Sequence, residues 1–223
     1  MTSPLPPTGL CILSSAEIEE LSEAIHSRDP WFEYYLRFAL LTGMRRGEIL
    51  ALTWHDVDLW LNREIIVPDP RQPYYRDPKC RQIPIDEILL GILLDLRSPS
   101  RWVFQKTGRR MLGSTVSLFF RELSVQTGII VTSERIRMTY AMNRYHQLRP
   151  RSRRDWEILQ ENLGHRDIST TRSYFQRHFC DVERQMRLVG TTSSIGSLSI
   201  DSIFASPGRA PSQLSKDWNN YWD

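Results

Sequence analysis

The sequence predicts a mainly helical α+β domain that carries a small three-stranded antiparallel sheet. Apolar residues recur every three or four positions through most of the chain, which indicates amphipathic helices. Only three short runs, 64–67, 81–85 and 101–104, have the length and composition of strands. With 223 residues, the chain is long enough for one domain with a sizeable core and an additional tail.

The N-terminal third predicts three helices that follow one another closely. A capping box of Ser14 and Glu17 begins the first helix, and the pair Asp29-Pro30 ends it. Residues 31–41 are apolar on nearly every side, which is typical of a buried central helix. A further helix is expected over 48–54.

Gly43 and Arg45 lie at the corner between the second and third of these helices. Glycine tolerates the left-handed conformation in which many helices end, so Gly43 is expected to terminate the central helix. A guanidinium group fixed between packed helices can stabilise negative charge without reorganising. Arg45 is therefore a candidate anion-binding residue, with Glu48 as the carboxylate that orients it.

The middle of the chain predicts the sheet and two more helices. A loop over 68–80 with four prolines separates the first two strand candidates. One helix is predicted from the Asp86 N-cap to residue 96, and another over 112–126. The residues expected to be buried in the second helix are Leu118, Phe119 and Leu123.

Arginine is concentrated in the C-terminal half of the predicted domain. Residues 135–187 contain 12 arginines against 6 acidic residues, whereas the whole chain carries a net charge of only +3. Such a basic segment is typical of a surface that binds a polyanion. The candidates for contact with phosphate groups are Arg76, Lys106, Arg109, Arg110, Arg151, Arg153, Arg154, Arg166 and Arg172.

A histidine and a tyrosine nine residues apart stand at the junction of the last two predicted helices. The first of these helices ends at the Gly164 C-cap, and the second begins at the Asp167 N-cap. The apolar face of the second helix places Tyr174 at its edge. A phenol there, close to His165, is a candidate nucleophile; a half-buried structural tyrosine is the alternative. The residues of that face are Ile168, Thr171, Phe175 and Phe179.

The three cysteines are far apart, so their spacing matches neither a disulfide framework nor a zinc site. The sequence shows no secretory signal and no apolar stretch long enough to cross a bilayer. A reducing cytoplasm is therefore the expected compartment.

Three segments resemble the boxes of the tyrosine-recombinase, or phage-integrase, family. Segment 163–175, LGHRDISTTRSYF, resembles the C-terminal box, in which leucine-glycine-histidine precedes the nucleophilic tyrosine. Segment 42–54, TGMRRGEILALTW, resembles the first-arginine box, and 134–141, ERIRMTYA, resembles the second. The resemblance covers roughly residues 13 to 185 and implies the catalytic fold of that family.

The resemblance implies a site-specific recombinase or integrase that cuts and rejoins DNA through a 3′-phosphotyrosine intermediate. Tyr174 would be the nucleophile, and Arg45, Arg137 and His165 would hold the scissile phosphate. No metal ion and no other cofactor is expected, because the phosphotyrosine bond conserves the energy for rejoining. Double-stranded DNA is the expected partner, with self-association as a dimer or tetramer on nucleoid DNA.

The resemblance also assigns a hairpin lysine that protonates the leaving 5′-oxygen. Its usual position falls on Arg76, which binds phosphate well but hardly donates a proton near neutral pH. Lys79 lies three residues later in the same loop and can donate a proton. Lys79 is therefore the favoured candidate, with Arg76 as the alternative.

Glu134 stands where the family usually has a histidine. A carboxylate there adds negative charge beside a phosphodiester. Either Arg135 or Arg45 neutralises it, or it is unpaired and repels the phosphate; we favour the unpaired case. The substitution therefore raises a second interpretation, a DNA-binding relative whose cleavage is impaired or lost. A type IB topoisomerase-like relaxing enzyme, which shares the chemistry, is the third.

The predicted domain organisation has three parts. Residues 1–12 form a flexible leader, residues 13–188 form the catalytic domain, and residues 189–223 form a tail rich in Ser, Gly and Pro. The last seven residues of the tail include three aromatic residues, which are expected to dock on a protein surface. The separate N-terminal DNA-clamp domain that is usual in the family is expected to be absent.

Overall fold

The structure, a computed structural model, describes residues 12–67 and 81–176. The predicted loop with Arg76 and Lys79, the predicted tail, Phe179 and nearly all of the leader lie outside these ranges. The helices are α1 (Ser15–His26), α2 (Pro30–Thr42), α3 (Arg46–Ala51), α4 (Glu87–Asp95), α5 (Gly113–Thr127), α6 (Ser133–Leu148), α7 (Arg153–Leu163) and the described part of α8 (168–176). The strands are β1 (Val57–Asp58), β2 (Glu64–Ile66), β3 (Gln82–Pro84), β4 (Gln105–Lys106) and β5 (Arg109–Arg110).

The predicted N-caps Ser14 and Asp86 are confirmed, because each depends on a hydrogen bond within a few residues. The capping box of Ser14 and Glu17 closes the first turn of α1. The Asp29 carboxylate accepts a hydrogen bond from the Trp31 N–H at the start of α2. The Asp86 carboxylate accepts one in the same way in α4.

The core is built around α2, which contacts α1, α4 and α6. Its side chains are buried on nearly every side, as residues 31–41 predict, and Phe38 and Leu40 have no exposed surface. A second, smaller apolar cluster joins α6, α7 and α8 through residues such as Leu159 and Phe175. This second cluster holds α8 against the rest of the domain.

The three-stranded sheet is antiparallel, in the order β1-β2-β3, but one of its strands is not where the sequence predicts it. The run 101–104 lies outside this sheet, and the Val103 N–H donates to the Leu52 carbonyl. Val103 and Phe104 are buried in the helical core, so core packing explains the apolar composition of this run. The third strand of the sheet is instead β1, whose two residues are too few to show an alternating pattern in the sequence.

Two helical details also differ from the prediction. The helix expected over 48–54 ends at Ala51, because the Asp56 carboxylate accepts hydrogen bonds from the Thr53 N–H and hydroxyl and closes a turn there. In α5, Leu118 is 46% exposed, since it lies on the side of the helix away from the buried stripe. The buried residues of α5 are Val116, Phe119, Phe120 and Leu123.

Across the ranges 12–67 and 81–176, no helix combines the length and the apolar composition needed to span a membrane. The same ranges contain no group of three or more His, Cys, Asp or Glu side chains placed to hold a metal ion.

Gly43 is required both for its conformation and for its lack of a side chain. It ends α2 with φ of 58°, and a Cβ atom there would lie 2.1 Å from the ring of Tyr140. We expect Gly43→Ala to lower the free energy of unfolding by more than about 2 kcal/mol, measured by urea denaturation. Gly128→Ala is the matched control, because Gly128 has φ of 73° but nothing within 4 Å of a Cβ atom. Equal losses in the two variants would contradict the proposed clash.

Candidate active site

Three arginines converge on the C-terminal end of α7. The arginine cluster consists of Arg45, Arg81 and Arg137. Its guanidinium groups donate hydrogen bonds to three successive carbonyl oxygens, those of Asn162, Leu163 and Gly164. The last carbonyls of a helix lack partners within the helix, and its C-terminal end is partially negative. The cluster therefore satisfies this helix end and concentrates positive charge beside it.

Each member of the arginine cluster is positioned by a different element. Arg45 is the N-cap residue of α3, at the corner that follows Gly43, and Arg81 directly precedes β3. Arg137 lies in α6 and is only 4% exposed. It also donates a hydrogen bond to the Gly43 carbonyl, so the end of α2 and the end of α7 share this side chain.

Glu48 joins two members of the arginine cluster. Its Oε1 accepts a hydrogen bond from the Arg45 guanidinium (2.8 Å), and its Oε2 accepts one from Arg81 (3.0 Å). The prediction that Glu48 orients Arg45 is thus confirmed. Arg81 was missed by sequence reasoning, because an arginine before a short strand gives no local sign of the buried carboxylate that it contacts.

The arginine cluster remains positively charged near neutral pH. Burial, followed by the charges of Arg45 and Arg81, lowers the pKa of Arg137 to about 10. Burial also lowers the pKa of Arg81. Glu48 balances only part of the three positive charges, so the site has an excess of positive charge with which to attract an anion.

His165 directly follows the carbonyls that the arginine cluster binds. Its Nδ1 lies 3.0 Å from the Thr171 hydroxyl oxygen. Burial, followed by the charges of Arg137, Arg45 and Arg81, lowers the pKa of His165 to about 4. The imidazole is therefore neutral at pH 7, and it can donate a hydrogen bond without adding a fourth positive charge.

Tyr174 stands beside His165, with 5.3 Å between the ring centroids and 72° between the ring planes. It is half-buried at the edge of α8, as predicted, whereas Phe175 is fully buried. The Tyr174 hydroxyl donates a hydrogen bond to Glu134 Oε1 (3.0 Å). Burial, followed by the charge of Glu134, raises the pKa of Tyr174, although the charge of Arg137 opposes this effect.

The alternative in which Arg135 or Arg45 neutralises Glu134 was wrong. Arg135 binds Glu17 (2.8 Å), and Arg45 binds Glu48, so neither neutralises Glu134. Successive residues of a helix point about 100° apart, and Arg135 therefore faces α1 while Glu134 faces the site. Among the described residues no arginine forms an ion pair with Glu134, so its charge is not neutralised, in agreement with the favoured prediction. Its hydrogen-bond partner is the Tyr174 phenol, which is uncharged.

Lys106 and Arg109, two of the candidates for phosphate contact, are exposed on the hairpin of β4 and β5. Arg110 differs from its neighbours. Its Nε donates to the Leu50 carbonyl (2.8 Å), and its guanidinium lies 5.6 Å from the centre of the Trp102 ring. Arg110 therefore fixes the hairpin against the end of α3, which limits its freedom to follow a phosphate.

The remaining basic candidates within the described ranges are exposed at the two ends of α7 and along α8: Arg151, Arg153, Arg154, Arg166 and Arg172. Arg153 forms an exposed ion pair with Glu157 (3.1 Å), and Arg172 lies 5.5 Å from the Trp156 ring. Residues 149–154, the arginine-rich loop, lead into α7 at the end opposite the arginine cluster. A helix rises about 1.5 Å per residue, so α7 places this loop ~15 Å from the arginine cluster. The loop is thus a separate basic surface from the site itself.

The low pKa of His165 leads to a prediction about how the stability of the fold depends on pH. The unfolded chain binds a proton at this histidine near pH 6.5, whereas the folded chain does so only near pH 4. The contribution of His165 to the free energy of unfolding is therefore present above pH 6.5 and is lost as the pH falls towards 4. We expect an NMR titration of the His165 ring to show a midpoint well below pH 6 and His165→Gln to weaken the loss of stability on acidification. A midpoint at or above pH 6.5 would contradict the described environment.

Comparison with known protein families gives a match to the phage integrase family over residues 12–179. ICEBs1 integrase of Bacillus subtilis (strain 168) is 22% identical over 177 residues, which cover 70% of this chain and 47% of that integrase. Transposase A from transposon Tn554 of Staphylococcus aureus is 24% identical over 176 residues, 71% of this chain and 46% of the transposase. The chain thus spans about half the length of these relatives.

Solved structures share the fold. The XerA recombinase superposes with a TM-score of 0.59 at 24% identity, covering 84% of this chain and 68% of that one. The Tn1549 transposon integrase in complex with a circular intermediate DNA superposes with a TM-score of 0.59 at 22% identity, covering 82% of this chain and 67% of that one. The catalytic domain of bacteriophage HP1 integrase superposes with a TM-score of 0.51 at 21% identity, covering 83% of this chain and 99% of that one.

The family match spans most of the chain and includes all the described residues of the candidate site. The mainly helical fold with a small antiparallel sheet, expected from the sequence, is the fold of these recombinase structures. The chain belongs to the phage integrase family.

Proposed function

We propose that this chain is a site-specific DNA recombinase or integrase that acts through a 3′-phosphotyrosine intermediate. The observation that carries the proposal is the position of the Tyr174 phenol, beside His165 and within the field of Arg137. A nucleophile next to fixed cations is the arrangement that phosphoryl transfer requires. The names of the relatives, an integrase and a transposase, support DNA as the substrate.

In the proposed reaction, the Tyr174 oxygen attacks the scissile phosphorus, and the bond from phosphorus to the 5′-oxygen breaks. Arg45 and Arg137 stabilise the negative charge that develops on the non-bridging oxygens, and His165 donates a hydrogen bond to them. The leaving 5′-oxygen takes a proton, for which Lys79 remains our candidate and Arg76 the alternative. Attack by a 5′-hydroxyl on the phosphotyrosine reverses these steps and rejoins the strand.

The phenol must lose its proton as it attacks, and we propose Glu134 as the acceptor. The Tyr174 hydroxyl already donates to this carboxylate over 3.0 Å, which is within the distance that proton transfer requires. The raised pKa of Tyr174 means that the phenol is protonated near neutral pH, so an acceptor is needed. Accepting the proton also neutralises Glu134 while negative charge develops on the phosphate. The repulsion between the carboxylate and the phosphate is thereby removed.

This arrangement favours an active enzyme over a relative that binds DNA without cleaving it, because the nucleophile has a proton acceptor. It also explains how the family's usual histidine can be replaced by a carboxylate. The recombinase and integrase relatives support strand exchange over the relaxing activity of a type IB topoisomerase.

We further propose that the exposed basic residues bind the DNA backbone and that copies of the chain associate on DNA as a dimer or tetramer. The Tn1549 integrase structure, which is a complex with DNA, supports the first part. The arginine-rich loop would contact phosphates at some distance from the cleaved bond. Cytoplasmic action on nucleoid DNA accords with this substrate.

The nucleophile is tested by covalent capture. Duplexes that bind the chain are first selected from a random-sequence library and then prepared with a nick, so that cleavage releases a short strand and traps the adduct. We expect the wild-type chain to form a covalent adduct and Tyr174→Phe to form none. Tyr145→Phe is the control, because Tyr145 packs on Phe175 without carrying the proposed chemistry. An adduct that persists in Tyr174→Phe would contradict the assignment.

The proton acceptor is tested with the same nicked duplex in single turnovers. Glutamine retains a hydrogen-bond acceptor but cannot take the proton, so we expect Glu134→Gln to cleave slower by on the order of 10²–10⁴-fold. Imidazole can take a proton, so Glu134→His should cleave faster than Glu134→Gln. Glu161→Gln, on the exposed side of α7, should match the wild type. A wild-type rate in Glu134→Gln would exclude the proposed role.

A further inference from the structure

The hydrogen bond between Thr171 and His165 contains information about where the imidazole carries its proton. Thr171 lies in the first turn of α8 and has no exposed surface. Its hydroxyl oxygen is 3.0 Å from His165 Nδ1. Among the described residues, this nitrogen is the only hydrogen-bond partner of that hydroxyl.

A buried hydroxyl must donate its hydrogen to an acceptor, because an unpaired buried donor loses its hydrogen bond to water without replacement. If Nδ1 carried the ring proton, Nδ1 would donate to Thr171, and the hydroxyl hydrogen would have no acceptor. If Nδ1 is unprotonated, the hydroxyl donates to it, and both groups are satisfied. The second arrangement is therefore the stable one.

We infer that Thr171 is a positioning residue that holds His165 in the tautomer with its proton on Nε2. No group in the described part of the chain forms a hydrogen bond with Nε2, so this N–H remains available to an incoming oxygen. The consequence for catalysis rests on the proposed function: the Nε2–H group would donate to a non-bridging oxygen of the scissile phosphate. Thr171 thus acts on the reaction only through His165.

The electrostatics of the site support this inference. The imidazole is neutral at pH 7, because burial and the three members of the arginine cluster together disfavour a further positive charge, while Glu48 opposes them only in part. A neutral imidazole carries one proton, so the choice between its two nitrogens decides whether it can donate towards the phosphate. The other tautomer would present a lone pair on Nε2, which repels a phosphate oxygen.

The tautomer can be measured without DNA, on the whole chain labelled with ¹⁵N at histidine. We expect two-bond ¹H–¹⁵N correlation spectra at pH 7 to show His165 with an unprotonated Nδ1 and a protonated Nε2. Thr171→Val removes the hydroxyl but keeps the shape, and it should produce a mixture of tautomers. Thr171→Ser should restore the wild-type pattern, and Thr170→Val, at the exposed neighbouring position, should not change it. A protonated Nδ1 in the wild type, or an unchanged pattern in Thr171→Val, would overturn the inference.

The catalytic consequence is measured by single-turnover cleavage of the nicked duplex. We expect Thr171→Val to cleave about tenfold slower than the wild type. Thr171→Ser and Thr170→Val should cleave at nearly the wild-type rate. If Thr171→Val folds and shows mixed tautomers but cleaves at the wild-type rate, the donor role of Nε2 is overturned. If Thr171→Val does not fold, the wild-type spectrum and Thr171→Ser still decide the tautomer. Failure of the proposed function would instead appear as the absence of a covalent adduct in the wild type.

Discussion

The contact between the arginine cluster and the C-terminal end of α7 organises the site. Three guanidinium groups from α3, the start of β3 and α6 bind three successive carbonyls, so segments up to 119 residues apart meet at one helix end. Gly164 makes this end accessible, because its left-handed φ of 58° terminates α7 there. His165 follows at once, and its position relative to the arginines is therefore fixed by the backbone.

The same guanidinium groups serve stability and the proposed chemistry. Each has five N–H donors, and the carbonyl contacts use only part of them while setting the orientation of the group. Glu48 is needed because three arginines in a partly buried site would otherwise repel one another. The result is a set of cations that need not rearrange when a phosphate enters, which is the condition for efficient stabilisation of developing charge.

The environment, more than the residue type, assigns the role of each titratable group. Burial, followed by the positive charge of the arginine cluster, lowers the pKa of His165 and keeps it neutral, so in the proposed reaction it donates a hydrogen bond without carrying a charge. Burial and the carboxylate of Glu134 keep Tyr174 protonated in spite of the nearby Arg137. As the proposed nucleophile, a phenol that is protonated at rest needs a proton acceptor, and Glu134 already accepts its hydrogen bond.

The features that the sequence predicted correctly are those that local chemistry controls. Ser14 and Asp86 begin helices through hydrogen bonds within three residues, and Gly43 and Gly164 end helices through their own backbone freedom. The resemblance of three segments to family boxes further indicated which arginines, histidine and tyrosine would meet. These predictions required no knowledge of how distant segments pack.

The remaining features were decided by contacts between distant parts of the chain. The run 101–104 has the composition of a strand, but packing against α2 buries it in the helical core. Arg81 enters the site because it meets Glu48 and α7, and Glu134 meets Tyr174 across 40 positions of sequence. The sequence by itself thus determined most of the helices, the caps at several of their ends and the family boxes. Only the tertiary structure decided the partner of each charged group, because a charge selects its partner by distance in space.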